Sequence, residues 1–143
     1  MPQPERAYVA LGSNLGDREA HLAHARMRLA ALPGTTLVAV SVIEETAPLG
    51  PVPQGPYLNQ MVLLETTLDP AELLPYAQRI EMERGRERGE RWGPRTLDID
   101  IVRFGDRVVQ SPGLTIPHAQ LDARGFWQRE LAELDALLPT THG

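Results

Sequence analysis

The sequence contains no cysteine and no lysine, and each absence excludes a class of chemistry. Without cysteine there is no disulfide framework, no zinc–cysteine site and no thiol nucleophile. Without lysine there is no P-loop, because that phosphate-binding motif requires one. No apolar run approaches the length of a membrane span, and the first six residues, MPQPER, do not resemble a signal peptide. We therefore expect a cytoplasmic protein without a membrane partner.

The overall composition is that of a globular protein with a small excess of acid. Hydrophobic residues make up 42% and charged residues 23%, and 143 residues suffice for a single domain, residues 1–143. The net charge of −5 argues against a protein that coats nucleic acid, so we expect no nucleic-acid partner. The 13 prolines and 12 glycines predict long ordered loops.

Hydrophobic periodicity and capping residues predict alternating strands and helices. Asp17 and Asp69 are suitable N-caps for two of the helices. His21 and His24, spaced i, i+3 in the first helix, are expected on its solvated surface. The order β-α-β-β-α-β with an additional C-terminal helix favours an α+β fold, a ferredoxin-like sandwich with an antiparallel sheet. The predicted strands cover residues 7–11, 36–46, 57–67 and 96–104, and the predicted helices cover 17–32, 69–84 and 125–138.

The stretch 84–100 combines a cluster of arginines with two aspartates. Because a strand alternates its side chains, Asp98 and Asp100 share one face and stand about 7 Å apart. Two such carboxylates suit magnesium ions that also bind phosphate oxygens. The surplus of guanidinium groups suits a ligand with several negative oxygens. The alternatives are a solvated strand face for the aspartates and pairing with nearby glutamates for the arginines. The arginines are Arg84, Arg86, Arg88, Arg91 and Arg95.

Three kinds of side chain outside this stretch are candidates for contacts with a small molecule. His118 is either structural or a donor to a phosphate oxygen, and the sequence leaves both open. Tyr57 and Phe126 each adjoin a loop, so they either belong to the core or clamp a flat ring. Asn59 adds an amide that can read the edge of a heterocycle.

Taken together, these motifs resemble those of the 6-hydroxymethyl-7,8-dihydropterin pyrophosphokinases of folate biosynthesis. The resemblance implies transfer of pyrophosphate from ATP to the hydroxymethyl group of the pterin, with release of AMP. It also implies dependence on two magnesium ions held with ATP, and we expect a monomer. The segments that carry it are LGSNLGD at 11–17, ETAPLGP at 45–51, YLNQ at 57–60, ERWGPRTLDIDI at 90–101, IPH at 116–118 and RGF at 124–126.

The resemblance also implies a role for individual residues. The two aspartates, Asp98 and Asp100, would hold the magnesium ions and act in catalysis with Arg86 and Arg95. The residues implied for the pterin are Thr46, Ala47, Leu49, Tyr57, Asn59 and Phe126. The residues implied for ATP are Glu81, Arg88, Arg91, Trp92, Arg95, Ile101, Thr115, His118 and Arg124.

Two positions depart from the family's pattern, and two other functions stay open at this point. Position 119 is alanine where the family often has tyrosine, and position 113 is glycine where an arginine can occur. The first alternative is a ferredoxin-like nucleic-acid-binding module, against which the net negative charge argues. The second is a pterin or nucleotide binder of the same fold that has no catalytic activity.

Overall fold

The computed structural model describes residues 3–47, 54–85 and 96–138. The predictions that lie outside these ranges concern Leu49, Arg86, Arg88, Arg91, Trp92 and Arg95. In chain order the elements are β1 (Glu5–Ser13), α1 (Arg18–Ala30), β2 (Thr35–Val40), β3 (Glu44–Thr46), β4 (Tyr57–Thr66), α2 (Pro70–Glu83), β5 (Asp98–Phe104), β6 (Val109–Ser111), β7 (Leu114–Ile116) and α3 (Gly125–Leu137).

The main sheet has the strand order β2-β4-β1-β5, and the short strand β3 also pairs with β4. Every neighbouring pair in it is antiparallel. β1 lies in the interior of the sheet, which explains why its run Ala7–Leu11 is buried. β6 and β7 form a separate hairpin. This topology confirms the α+β, ferredoxin-like fold.

Helices α1 and α2 cover one face of the sheet, and both begin at the predicted caps. The Asp17 carboxylate accepts the Ala20 backbone N–H at 3.1 Å, and Glu72 accepts the Asp69 backbone N–H at 2.8 Å. Each of these bonds satisfies a donor that the first helical turn leaves without a partner. The residues that the two helices bury against the sheet are Leu22, Ala25, Leu29, Leu73, Ala77 and Ile80.

Helix α3 packs on the opposite face of the sheet. Its buried residues Trp127, Leu131 and Leu134 form a second hydrophobic core with Tyr8, Ala10, Met61 and Leu63 of the two interior strands. The helix predicted over 125–138 is thereby confirmed. Within the described residues, no helix has the length and apolar composition that crossing a membrane requires.

Two details predicted from the sequence are wrong, one about a strand and one about the exposure of a side chain. The strand expected over 36–46 is interrupted after Val40, because the Ser41 hydroxyl accepts the Met61 backbone N–H at 2.9 Å in place of a backbone carbonyl. His21 is not on the solvated surface but only 9% exposed. Its Nδ1 accepts a hydrogen bond from Arg84 Nε at 2.9 Å, which ties α1 to the end of α2.

Candidate active site

A row of four residues crosses the sheet on the face that carries α3. Gly12 of β1 lies opposite Asp98 of β5 on one side and opposite Asn59 of β4 on the other. Asn59 in turn lies opposite Glu44 of β3. Residues directly opposite each other in antiparallel strands point to the same face. One surface of the sheet therefore carries a carboxylate at one end and an amide further along, with a glycine between them.

The glycine leaves room above the sheet beside an amide and an aromatic ring. A Cβ at Gly12 would stand 3.4 Å from Asn59 Oδ1 and 3.5 Å from Tyr57 Cδ1. The other end of the Asn59 amide, Nδ2, donates to the Thr46 hydroxyl at 2.6 Å, which fixes the direction of Oδ1. Thr46 lies directly opposite Tyr57. Thr46, Tyr57 and Asn59 thus form one polar and aromatic corner around the space that Gly12 leaves.

Asp98 and Asp100 are both partly exposed, while the alternating Ile99 and Ile101 are 6% and 4% exposed. This confirms that the two carboxylates share one face of the strand. A cavity of about 240 Å³ adjoins Asp100 at the edge of the sheet. The predicted residues Ile101, Thr115 and His118 line this cavity, and so do the small residues Gly113 and Ala119.

His118 presents a hydrogen-bond donor towards Asp100. Its Nδ1 accepts the Gln120 backbone N–H at 3.0 Å, so the proton of the neutral ring is on Nε2. Nε2 lies 3.5 Å from Asp100 Oδ1. The His118 backbone N–H donates to the carbonyl of Val102 at 2.9 Å, which fastens this residue to β5. The ring also stands edge-on to Trp127, with centroids 4.9 Å apart.

Arg124 lies at the start of α3 with its guanidinium over the Trp127 ring, 4.5 Å from the centroid. Its Nε is buried and has no hydrogen-bond partner among the described residues. A buried donor without a partner costs about 1–3 kcal/mol. An anion that accepts from this nitrogen would remove that cost. Phe126, two residues further, packs against the same hydrophobic core as Trp127 and touches it edge-on.

Glu81 of α2 reaches the beginning of β5. It is 5% exposed, and its Oε2 accepts the Ile99 backbone N–H at 2.7 Å. Ile99 stands between the two aspartates, so this bond fixes the strand segment on which both carboxylates depend. Glu81 was predicted to contact ATP, and in the structure it supports β5.

The structure brings the predicted residues together in three groups on one side of the fold. The first is the corner of Thr46, Tyr57 and Asn59, with Ala47 exposed directly after Thr46. The second is the cavity beside Asp100, with Asp98 on the same face of β5, and the third is the start of α3. The second group comprises Asp98, Asp100, Ile101, Thr115 and His118, and the third comprises Arg124 and Phe126.

Two residues at this site were not among the predicted ones. The first predicted strand ends at residue 11, whereas β1 continues to Ser13 and places Gly12 in the sheet between Asp98 and Asn59. The sequence signal for Gly12 is strand alternation, because it follows Ala10 by two residues and therefore shares the same face of β1. Trp127 belongs to the core face of α3, and it also supports His118 and Arg124.

Comparisons with known proteins agree on one family. A family model described as 7,8-dihydro-6-hydroxymethylpterin-pyrophosphokinase matches residues 8–136. The 2-amino-4-hydroxy-6-hydroxymethyldihydropteridine pyrophosphokinase of Pseudomonas aeruginosa is 45% identical over 137 residues, which cover 94% of this chain and 85% of that protein. The protein of the same name from Bacillus subtilis is 44% identical over 128 residues, 90% of this chain and 77% of that protein. The Haemophilus influenzae protein is 43% identical over 137 residues, 94% and 86% of the two chains.

Proposed function

The chain belongs to the 7,8-dihydro-6-hydroxymethylpterin-pyrophosphokinase family, and we propose that it transfers pyrophosphate from ATP to 6-hydroxymethyl-7,8-dihydropterin in folate biosynthesis. A bond forms between the hydroxymethyl oxygen and the β-phosphorus of ATP. The bond from that phosphorus to the oxygen shared with the α-phosphorus breaks. AMP and the pterin diphosphate leave, and the hydroxyl proton is released to solvent.

The observation that supports this function best is the shared face of Asp98, Gly12 and Asn59. Phosphoryl transfer needs little covalent help from the protein, so positioning of the two substrates and stabilisation of charge supply most of the rate. A continuous surface with an amide corner at one end and two carboxylates at the other meets that need. It lets a flat acceptor and a charged donor meet side by side.

The pterin would lie over Gly12, where the missing side chain leaves space for a ring. Asn59 Oδ1 faces this space and accepts an N–H from the edge of the ring. Tyr57 and Phe126 provide its aromatic contacts. Thr46 holds the amide in the orientation that this recognition requires, through its bond to Asn59 Nδ2.

Magnesium would be held by Asp98 and Asp100, whose donor set fits this ion. Magnesium prefers oxygen ligands and is often bound through one or two carboxylates together with substrate phosphates. The described residues contain no cluster of three or more acidic or histidine ligands, so the remaining ligands would be phosphate oxygens and water. When bound, the ions neutralise charge on the phosphates of ATP.

Two side chains beside the aspartates would bind the phosphates of ATP directly. His118 presents its Nε2–H on the side of Asp100 and the cavity, and Arg124 has a buried Nε that needs an acceptor. Both are supported by Trp127, so they keep their directions without a ligand. The further ATP contacts predicted at Arg86, Arg88, Arg91, Trp92 and Arg95 stay predictions.

The test is to incubate the protein with Mg-ATP and the hydroxymethyl pterin and to separate the nucleotides. We expect equal amounts of AMP and pterin diphosphate. Formation of ADP would contradict the proposed reaction. Binding of both substrates without any AMP would instead identify a binder without catalytic activity.

The two aspartates provide the matched test of the metal site. Asp98→Asn and Asp100→Asn should each lower kcat by at least about a hundred-fold, the scale of losing one electrostatic contact in a transition state. Asp106→Asn, at an exposed turn, is the control and should change nothing. Near-normal turnover of both active-site variants at saturating magnesium would refute the assignment.

A further inference from the structure

Helix α3 buries a carboxyl group that the proposed reaction does not use. Glu130 is 1% exposed, and neither of its carboxylate oxygens has a hydrogen-bond partner among the described residues. Burial raises the pKa of this carboxyl to about 8, and the charge of Glu44 adds to the rise. Glu130 is therefore mostly a neutral acid at pH 7.

The charged groups that act on Glu130 come from one strand and from its own helix. Glu44 of β3 faces it across the interface, and Arg129 and Glu133 flank it on α3. Arg129 pairs with Glu44 at 2.6 Å, and Glu133 accepts the Val42 backbone N–H at 2.9 Å. α3 is thus attached to residues 42–44 on both sides of the neutral acid.

In the described part of the chain, Glu44 is the strand residue whose charge acts on the pKa of Glu130. β4 contributes Met61 to the interface and β2 contributes Ala39, and both are apolar. β1 contributes Tyr8, whose hydroxyl donates to Asp135 further along the helix. Ionisation of Glu130 would consequently act on Glu44, whose like charge already raises the pKa of Glu130.

Glu44 belongs to the strand that builds the pterin corner. It lies directly opposite Asn59, and Thr46 is the last residue of the same strand. β3 has only three residues and pairs only with β4 within the described structure. The contacts with α3 are therefore a substantial part of what holds Thr46 at its 2.6 Å hydrogen bond with Asn59.

We propose that Glu130 is a positioning residue for pterin binding: as a neutral acid it allows α3 to pack against Glu44, and as a carboxylate it repels Glu44 and displaces β3 with the Thr46–Asn59 pair. This inference rests on the proposed function, which places the pterin at that pair. Its consequence is a loss of pterin affinity at alkaline pH. The affinity for Mg-ATP is unaffected, because the aspartates and His118 lie at the other end of the row.

The experiment measures the dissociation constants of the pterin and of Mg-ATP between pH 6.5 and 9.5. It uses the unmodified protein, Glu130→Gln, which keeps a neutral side chain of the same length, and the exposed control Glu65→Gln. With an ionisation near pH 8, the unmodified protein should bind the pterin about tenfold more weakly at pH 9 than at pH 7. Glu130→Gln should not show this loss, and Glu65→Gln should show it in full. Ionisation of the pterin itself affects all three proteins equally and cancels in the comparison.

The outcomes separate this inference from the proposed function. Parallel pH profiles of the unmodified protein and Glu130→Gln would overturn the inference and leave the proposed function standing. An equal loss of pterin and Mg-ATP affinity at alkaline pH would also overturn it, because that is the signature of general unfolding. Absence of pterin binding by all three proteins at pH 7 would overturn the proposed function and this inference together.

Discussion

Replacing Glu130 with glutamine should make the protein more stable at neutral pH, with no ligand present. The pKa of the carboxyl is about 8 in the folded protein, against an ordinary value of 4.5. Between these two pH values the unfolded chain has lost a proton that the folded protein keeps. The free energy of unfolding therefore falls as pH rises. The contribution is complete below pH 4.5 and is lost as pH rises to the folded pKa.

The size of the effect follows from the gap between the two pKa values. From 4.5 to about 8 the gap is about 3.5 pH units, and each unit is worth about 1.4 kcal/mol, which makes about 5 kcal/mol in total. By pH 7 the loss is about 3 kcal/mol on the same scale. Glutamine has no such loss because its amide does not ionise.

The assay is urea unfolding at several pH values between 5.5 and 9.5, with Glu65→Gln as the control. The difference in unfolding free energy between Glu130→Gln and the unmodified protein should grow by about 1.4 kcal/mol per pH unit up to pH 8. Above pH 8 it should be constant. A difference that is constant over the whole range would refute the reasoning, because Glu130 would then ionise as an ordinary glutamate.

Three further substitutions test other parts of the structure. Gly12→Ala should fold normally, since 3.4 Å from its Cβ to Asn59 Oδ1 is close to an ordinary contact distance. Titration should nevertheless show pterin binding at least about tenfold weaker, because the methyl group occupies the space above the sheet in which the ring would lie. His118→Ala should raise the KM for ATP and leave the dissociation constant of the pterin unchanged. Burial, together with the charge of Arg84, lowers the pKa of His21. The contribution of neutral His21 to stability is therefore fully present above pH 6.5 and is lost progressively as the pH falls below 6.5. Urea unfolding of His21→Gln should show a shallower loss between pH 6.5 and 5.

The parts of the fold that the sequence predicts correctly depend on neighbours along the chain. The cap at Asp69 is completed by a residue three positions later, and the common face of Asp98 and Asp100 follows from strand alternation. Such signals lie within a few residues and need no knowledge of the tertiary structure. The motifs near the aspartates and near Asn59 likewise contain residues that the structure places on one face of the sheet, Asp98 and Asn59 among them.

The predictions that failed depend on partners far away in sequence. The strand over 36–46 breaks because Ser41 bonds to Gln60 and Met61, whose positions the local pattern does not contain. His21 is buried because Arg84, 63 residues away, donates to it. A helical position with polar neighbours looks solvated until the element that packs on it is known.

Glu130 was not among the predicted residues, although its spacing carries a signal. It follows Trp127 by three residues and precedes Leu134 by four, so it lies on the apolar stripe of α3. A charged residue type favours exposure in general, whereas helix geometry directs this position to the interface. At this position the helical spacing indicates the observed burial of Glu130, whereas its residue type does not.

Helix α3 connects the two ends of the proposed site. In its first turn Trp127 contacts His118 and Arg124 on the phosphate side, and one turn later Glu130 faces Glu44, which lies opposite Asn59 on the pterin side. A hydroxymethyl oxygen must come within about 3–3.5 Å of the phosphorus that it attacks, so a small displacement at either end slows the reaction. The phosphate end is held by the contacts of the Trp127 ring with His118 and Arg124. At the pterin end Glu130 is a buried carboxyl with a pKa of about 8, so a rise in pH should misalign the acceptor.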